Sequence, residues 1–143
     1  VGVQGVIVPD CPFEEKQELA HQAKAHGVSV ISLIAPTSEQ RIKDIATDAE
    51  GFVYCVSSLG VTGMRSDIKT DIASIVKQIR QYTDIPVAVG FGISTPDQAK
   101  AMANVSDGAI VGSAIVKQIG EWGTDGEDKL YEYVRSMVEA IGN

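Results

Sequence analysis

The stretch IPVAVGFGISTPDQAKAM, Ile85 to Met102, joins two structural rhythms. Its first part is a short apolar run that ends in Gly90-Phe91-Gly92. Its second part opens on Thr95-Pro96, with Gln98 three residues after the threonine. That spacing predicts a capping box with proline at the first helical position. A buried strand therefore hands over to a helix through two glycines. Glycine at such a seam serves either a tight turn or a ligand that must touch the backbone, because no Cβ stands in the way.

The same hand-over recurs along the chain. Gly5 to Asp10 (GVIVPD) is a short strand-like run. Pro12 to Gly27 predicts a helix, with proline in the first turn, acids early and a glycine stop. Val28 to Pro36 is rich in β-branched residues and predicts a second strand. Thr37 with Gln40 predicts a capping box for a helix whose face carries Ile42, Ile45, Ala46 and Ala49. Phe52 to Ser57 is a third strand, followed by the glycine-containing loop SLGVTGMRSD. Ile72, Ile75, Val76, Ile79 and Tyr82 form one helical stripe before the fourth strand, Ile85 to Gly90. Gly108 to Gly112 is a fifth strand and SAIVKQIGEW a short helix after it. A last helix places Leu130, Val134, Met137 and Ile141 at helical spacing.

These βα units have continuously apolar strands, as in a parallel sheet covered on both faces. Two architectures fit: a doubly wound open sheet, or part of a (β/α)₈ barrel. A full barrel takes eight strands and typically about 250 residues. The chain has 143 residues, which predicts a single domain spanning 1–143.

Composition narrows the partners. Hydrophobic residues at 44% and charged residues at 22% read as a soluble globular protein. The net charge of -7 predicts no nucleic acid and no membrane as partner, since both call for basic patches. No apolar run is long enough to span a bilayer. Cys11 and Cys55 are too few for a disulfide framework, which fits a reducing, cytoplasmic setting. The chain starts on Val1 inside a strand-like run, and a missing N-terminal portion or a processed terminus would each account for that.

In either architecture ligands bind beyond the carboxyl ends of the strands. Those positions hold Asp10, Ala35-Pro36, Ser57, Gly90-Phe91-Gly92 and Gly112-Ser113. The last two are glycine turns ahead of helix starts. Amides at a helix N-terminus carry partial positive charge, so two such turns on neighbouring strands could grip one phosphate without Lys or Arg. Equally, the glycines could serve only the turns. SSLGVTGMR has the make-up of a mobile lid or of a plain surface connection. Tyr54 either points into a barrel mouth or fills the core. His21 and His26 do not share a helical face and suggest no metal site. Acid-rich PFEEKQE reads as a solvated face.

In combination, VIVPDCPFEE, LIAPTS, GFVYCVSSLGVTG, IPVAVGFGISTPDQA and DGAIVGSAIVK resemble the tryptophan synthase α subunit family, in order and across nearly the whole chain. The resemblance implies an α/β fold of the (β/α)₈ TIM barrel family. This chain would cover about five βα units of it, strands four to eight, the C-terminal portion. It implies cleavage of indole-3-glycerol phosphate to indole and glyceraldehyde 3-phosphate, a retro-aldol step. It implies a β-subunit partner that carries the pyridoxal phosphate, with no cofactor in this chain.

By the same resemblance Gly63, Phe91, Gly92, Gly112 and Ser113 match phosphate-binding positions. Thr62 matches the threonine of the closing lid. Tyr54 matches an auxiliary tyrosine of the indole pocket, and Asp10 an aspartate near the β-subunit face. Ser58 departs from a basic residue often found there. The family's catalytic carboxylates come from strands that would precede Val1, so no catalytic carboxylate is assignable here. The expectation is that the chain alone is inactive, and that its open strand edges favour self-association. Competing readings are a sugar-phosphate isomerase or epimerase on a phosphate-binding barrel, and a non-catalytic phosphate-binding module.

Overall fold

A computed structural model describes residues 1–57, 68–90 and 92–142. The strands are β1 (Gly5–Val6), β2 (Ser29–Val30), β3 (Ser32–Ile34), β4 (Val53–Val56), β5 (Val87–Gly90) and β6 (Gly108–Ile110). The helices are α1 (Lys16–Ala25), α2 (Glu39–Thr47), α3 (Ile68–Ile79), α4 (Pro96–Ala103), α5 (Ser113–Trp122) and α6 (Glu127–Ile141). Every strand pairing is parallel: β1 with β2, then β3-β4-β5-β6 in that order. Strand order follows chain order with no reversal. A doubly wound sheet reverses at a switch point, so this order selects the barrel type.

The predicted second strand is divided. Ile31 separates β2 from β3 and donates its N–H to Val6 O at 2.9 Å. One extended run thus pairs first with β1 and then, past Ile31, with β4. The first strand is also shorter than predicted. It ends at Val6, and a turn closed by Cys11 N–H to Val8 O at 3.2 Å leaves Asp10 exposed beyond it.

Register sorts the strand residues onto two faces. Ile34, Cys55 and Val89 lie in one row and Val53 and Val87 in another, all 0% exposed. Ile42, Ile45 and Ala46 of α2, Ile72, Ile75, Val76 and Ile79 of α3, and Ala99 and Met102 of α4 bury against that face. Each such aliphatic side chain contributes about 1.5–3 kcal/mol by leaving water. The opposite face holds Leu33, Tyr54 and Ala88 in one row and Val56, Gly90 and Ile110 in the next. Leu33, Tyr54, Val56, Ala88 and Ile110 are half-buried, so this face is covered less than the sequence predicts.

The helix starts differ in one respect from the reading of spacing. Thr95 and Gln98 do form the predicted capping box at α4. At α2 the cap is Ser38, not Thr37: Ser38 Oγ accepts from Arg41 N–H, and the Gln40 side chain bonds Asp44 instead. Moving the cap by one residue leaves Ile42, Ile45 and Ala46 on the sheet. In α6, Met137 is buried and Tyr133 packs on the core, whereas Val134 and Ile141 are 38% and 37% exposed. The inward edge of α6 is therefore Tyr133–Met137 rather than the full predicted stripe. Among the described residues no helix is long and apolar enough to cross a membrane.

Lys16 corrects the reading of PFEEKQE as a solvated face, since its side chain is only 8% exposed. Its three N–H groups meet three acceptors: Ser32 Oγ at 3.0 Å, Asp48 Oδ2 at 2.9 Å and Asp48 O at 3.1 Å. Asp48 caps the carboxyl end of α2, where a cation also complements the helix dipole. One ammonium group thus ties α1, β3 and α2 together. Asp48→Ala leaves that buried charge with two neutral acceptors. The expected loss is about 2 kcal/mol, read as a lower denaturation midpoint at unchanged slope.

Asp107, just before β6, accepts from Val87 N–H at 2.8 Å and from Arg80 at 2.9 Å. The backbone bond, then Arg80, holds its carboxyl below the ordinary carboxylate value. A depressed carboxylate stabilises the fold above the unfolded-state value, and that contribution is lost as pH falls through the folded one. Acid titration below about pH 4 should therefore weaken the wild type more than Asp107→Asn.

Candidate functional site

β5 and β6 are neighbours with Gly90 opposite Ile110, so the turns that follow them leave the same end of the sheet. The two glycines of the first turn have separate causes. Gly92 has φ +77°, a left-handed conformation that side-chain-bearing residues rarely adopt. Gly90 is ordinary strand, and what it accommodates is Tyr54. A Cβ there would overlap the Tyr54 hydroxyl and lie 2.7 Å from Cζ and 2.9 Å from Ile110 Cβ. Sequence reading singled out Gly92 but missed this role of Gly90. No local signal carries it, because Tyr54 comes from another strand.

Tyr54 sits on the half-buried face of the sheet, opposite Leu33 and Ala88. Burial raises its pKa, so at neutral pH the phenol is neutral and able to donate a hydrogen bond.

The two helix starts behind the turns are unlike. At α4, Gln98 Oε1 accepts from Ser94 N–H at 2.9 Å and Thr95 N–H at 3.2 Å, and Thr95 Oγ1 accepts from Gln98 N–H. The capping box thus engages the Ser94, Thr95 and Gln98 amides, with Asp97 adding negative charge in the first turn. The expected pair of helix ends is thus unequal: α4 carries a side-chain cap, and Gly92 lies ahead of it.

At α5, Gly112 is the cap residue with no side-chain cap, and no acid lies in the first turn. Gly112 O accepts from Ile115 and Val116 at 2.9 and 3.1 Å. The N–H groups of Ser113 and Ala114 precede the first intrahelical bonds and have no acceptor within the helix. Gly112 has φ -119°, which any residue adopts, and an added Cβ there would meet nothing within 4 Å. Its own turn therefore does not demand glycine. It leaves open space before the exposed Ser113 and the positive end of α5.

Gly63, Thr62, Phe91 and Ser58 lie outside the described residues. His21 and His26 are exposed, and among the described residues no cluster of His, Cys, Asp or Glu could hold a metal ion. Cys55 is buried in the core as a small apolar residue, whereas Cys11 is half-exposed. A cavity of about 320 Å³ opens elsewhere, between the turns after β1 and β3, lined among others by Cys11, Phe13, Leu33 and Arg41. Gly92, Gly112 and Ser113 do not line it, and the Arg41 guanidinium is engaged by Glu14 at 2.7 Å.

Gly90→Ala should force Tyr54 aside and cost about 1–3 kcal/mol through overpacking. Thermal denaturation should then show Tyr54→Val giving back part of that loss in the double variant, a coupling expected only of touching residues.

The family model described as tryptophan synthase alpha chain matches residues 1–141. The tryptophan synthase alpha chain of a Thermoanaerobacter species is 49% identical over 141 residues, covering 99% of this chain and 53% of the relative. That of Bacillus pumilus is 52% identical over 119 residues, covering 83% of this chain and 45% of the relative. The solved structure of tryptophan synthase subunit alpha from Campylobacter jejuni aligns with a TM-score of 0.87 at 33% identity, over 96% of this chain and 54% of that one. The chain spans about half the length of the curated relatives it matches.

Proposed function

Since this chain belongs to the tryptophan synthase alpha chain family, we propose that it supplies the phosphate-holding half of an indole-3-glycerol phosphate lyase. The observation that carries the reading is the uncapped start of α5 beside the positive-φ Gly92 on the neighbouring strand's turn. Backbone donors and a helix dipole suit a doubly negative phosphate ester in a chain of net charge -7. In this proposal Gly92, Gly112 and Ser113 hold the phosphate together with Gly63 and Phe91, Thr62 belongs to the lid, and Tyr54 lines the indole pocket.

The cleavage is a retro-aldol step. An acid protonates the ring carbon that bears the side chain, a base takes the proton of the substrate hydroxyl next to the ring, and the carbon–carbon bond breaks with its electron pair returning to the ring. Glyceraldehyde 3-phosphate and indole leave. This chain's part is remote anchoring: binding energy gathered at the phosphate holds the breaking bond in a reactive pose. We assign no acid or base to its residues, and the proposal includes that the chain alone does not turn over.

On this reading residues 1–143 form a single domain, the C-terminal portion of the barrel, acting in the cytoplasm. Its partner is a β subunit that brings the pyridoxal phosphate, with no cofactor held in this chain. Open strand edges would let isolated chains associate with one another.

Calorimetric titration is expected to show binding of indole-propanol phosphate in preference to ribulose 5-phosphate, with no indole released from indole-3-glycerol phosphate. Preference for the pentose phosphate would instead favour an isomerase or epimerase barrel. Indole release at an ordinary enzymatic rate would refute the division of labour proposed here.

A further inference from the structure

Resting on that phosphate reading, we infer that Tyr133 of α6 is a positioning residue for the phosphate turns. Its hydroxyl donates to Ser94 O at 2.8 Å, across 39 residues of sequence. The Ser94 carbonyl and the Thr95 N–H belong to the same planar peptide unit. Tyr133 holds the carbonyl end, and Gln98 Oε1 holds the N–H end at 3.2 Å. The adjoining Ser94 N–H is held by the same Gln98 oxygen at 2.9 Å. The 94–95 peptide plane is thus held at both ends by different elements. That fixes the exit of the turn whose entry is the positive-φ Gly92.

The phenol also faces a space shared with the second turn. Ser94 from the β5 turn and Ala114 from the first turn of α5 line one cavity of about 200 Å³ together with Tyr133. The Tyr133 ring packs on the core, and burial raises its pKa, so the hydroxyl keeps its proton and donates. The α6 helix packs against α4 and α5, which bear the two turns. Tyr133 therefore bonds the first turn directly and sits on the helix that packs behind both, so its part in the inference is to position the turns. Its place is set by packing on α6.

The test is glycerol 3-phosphate titration of the 143-residue chain, followed at the Gly92 and Gly112 amide resonances, for wild type, Tyr133→Phe and Ser136→Ala. Phenylalanine keeps the ring and removes only the donor. The Ser136 hydroxyl bonds the Tyr133 backbone carbonyl at 2.7 Å, so its loss perturbs α6 without freeing Ser94. The expected result is an affinity about fivefold weaker in Tyr133→Phe, with a wild-type denaturation midpoint and with Ser136→Ala binding as wild type. Equal affinity in wild type and Tyr133→Phe would overturn the inference and leave the phosphate reading standing. Equal weakening in both variants would also overturn it, as a general effect of loosening α6. No ligand-dependent shift at Gly92 or Gly112 in the wild type would remove the phosphate reading itself, and this inference with it.

Discussion

Parallel pairing of β5 with β6 is the constraint from which the site follows. Two parallel neighbours must release their chains at the same end of the sheet. With Gly90 opposite Ile110, the Gly92 turn and the start of α5 come side by side whatever ligand is involved. The half-buried face then puts Tyr54 against Gly90, and the absence of a side chain at Gly90 is what lets the phenol lie there. Shape and chemistry at this end of the sheet thus descend from one register.

Electrostatics take an indirect route. A chain of net charge -7 repels anions at long range, so an anion site in it needs local positive potential. The two helices at the site divide that task unequally. The positive end of α4 is offset by its capping box and by Asp97. The α5 end has neither side-chain cap nor first-turn acid, and so retains the partial charge of its dipole. Buried cations go to architecture instead, as Lys16 does in closing α2 onto α1 and β3.

Much of this was legible in the sequence because it rests on local rules. Strand and helix alternation follows from hydrophobic period. The Thr95–Gln98 capping box follows from spacing, and a glycine at 92 from the scarcity of other residues with positive φ. The departures arise where two local solutions were nearly equal or where the partner is remote. Thr37 and Ser38 are both competent caps, and it is Ser38 Oγ that accepts from a helix amide, that of Arg41. Val28 to Pro36 is uniformly strand-like, and only the geometry of its two neighbours breaks it at Ile31. Lys16 lies in an acid-rich stretch that looks solvated, yet its acceptors come from residues 32 and 48.

By itself, then, the sequence determined the α/β class, the family, the order of the elements and which two glycine turns precede helices, since each depends on residues within a few positions of one another. The tertiary structure decided which helix end stays open, why Gly90 has no side chain, and that Tyr133 reaches Ser94 from the final helix. Those depend on which side chains meet across strands and helices, and contacts between distant residues leave no periodic trace in a single chain.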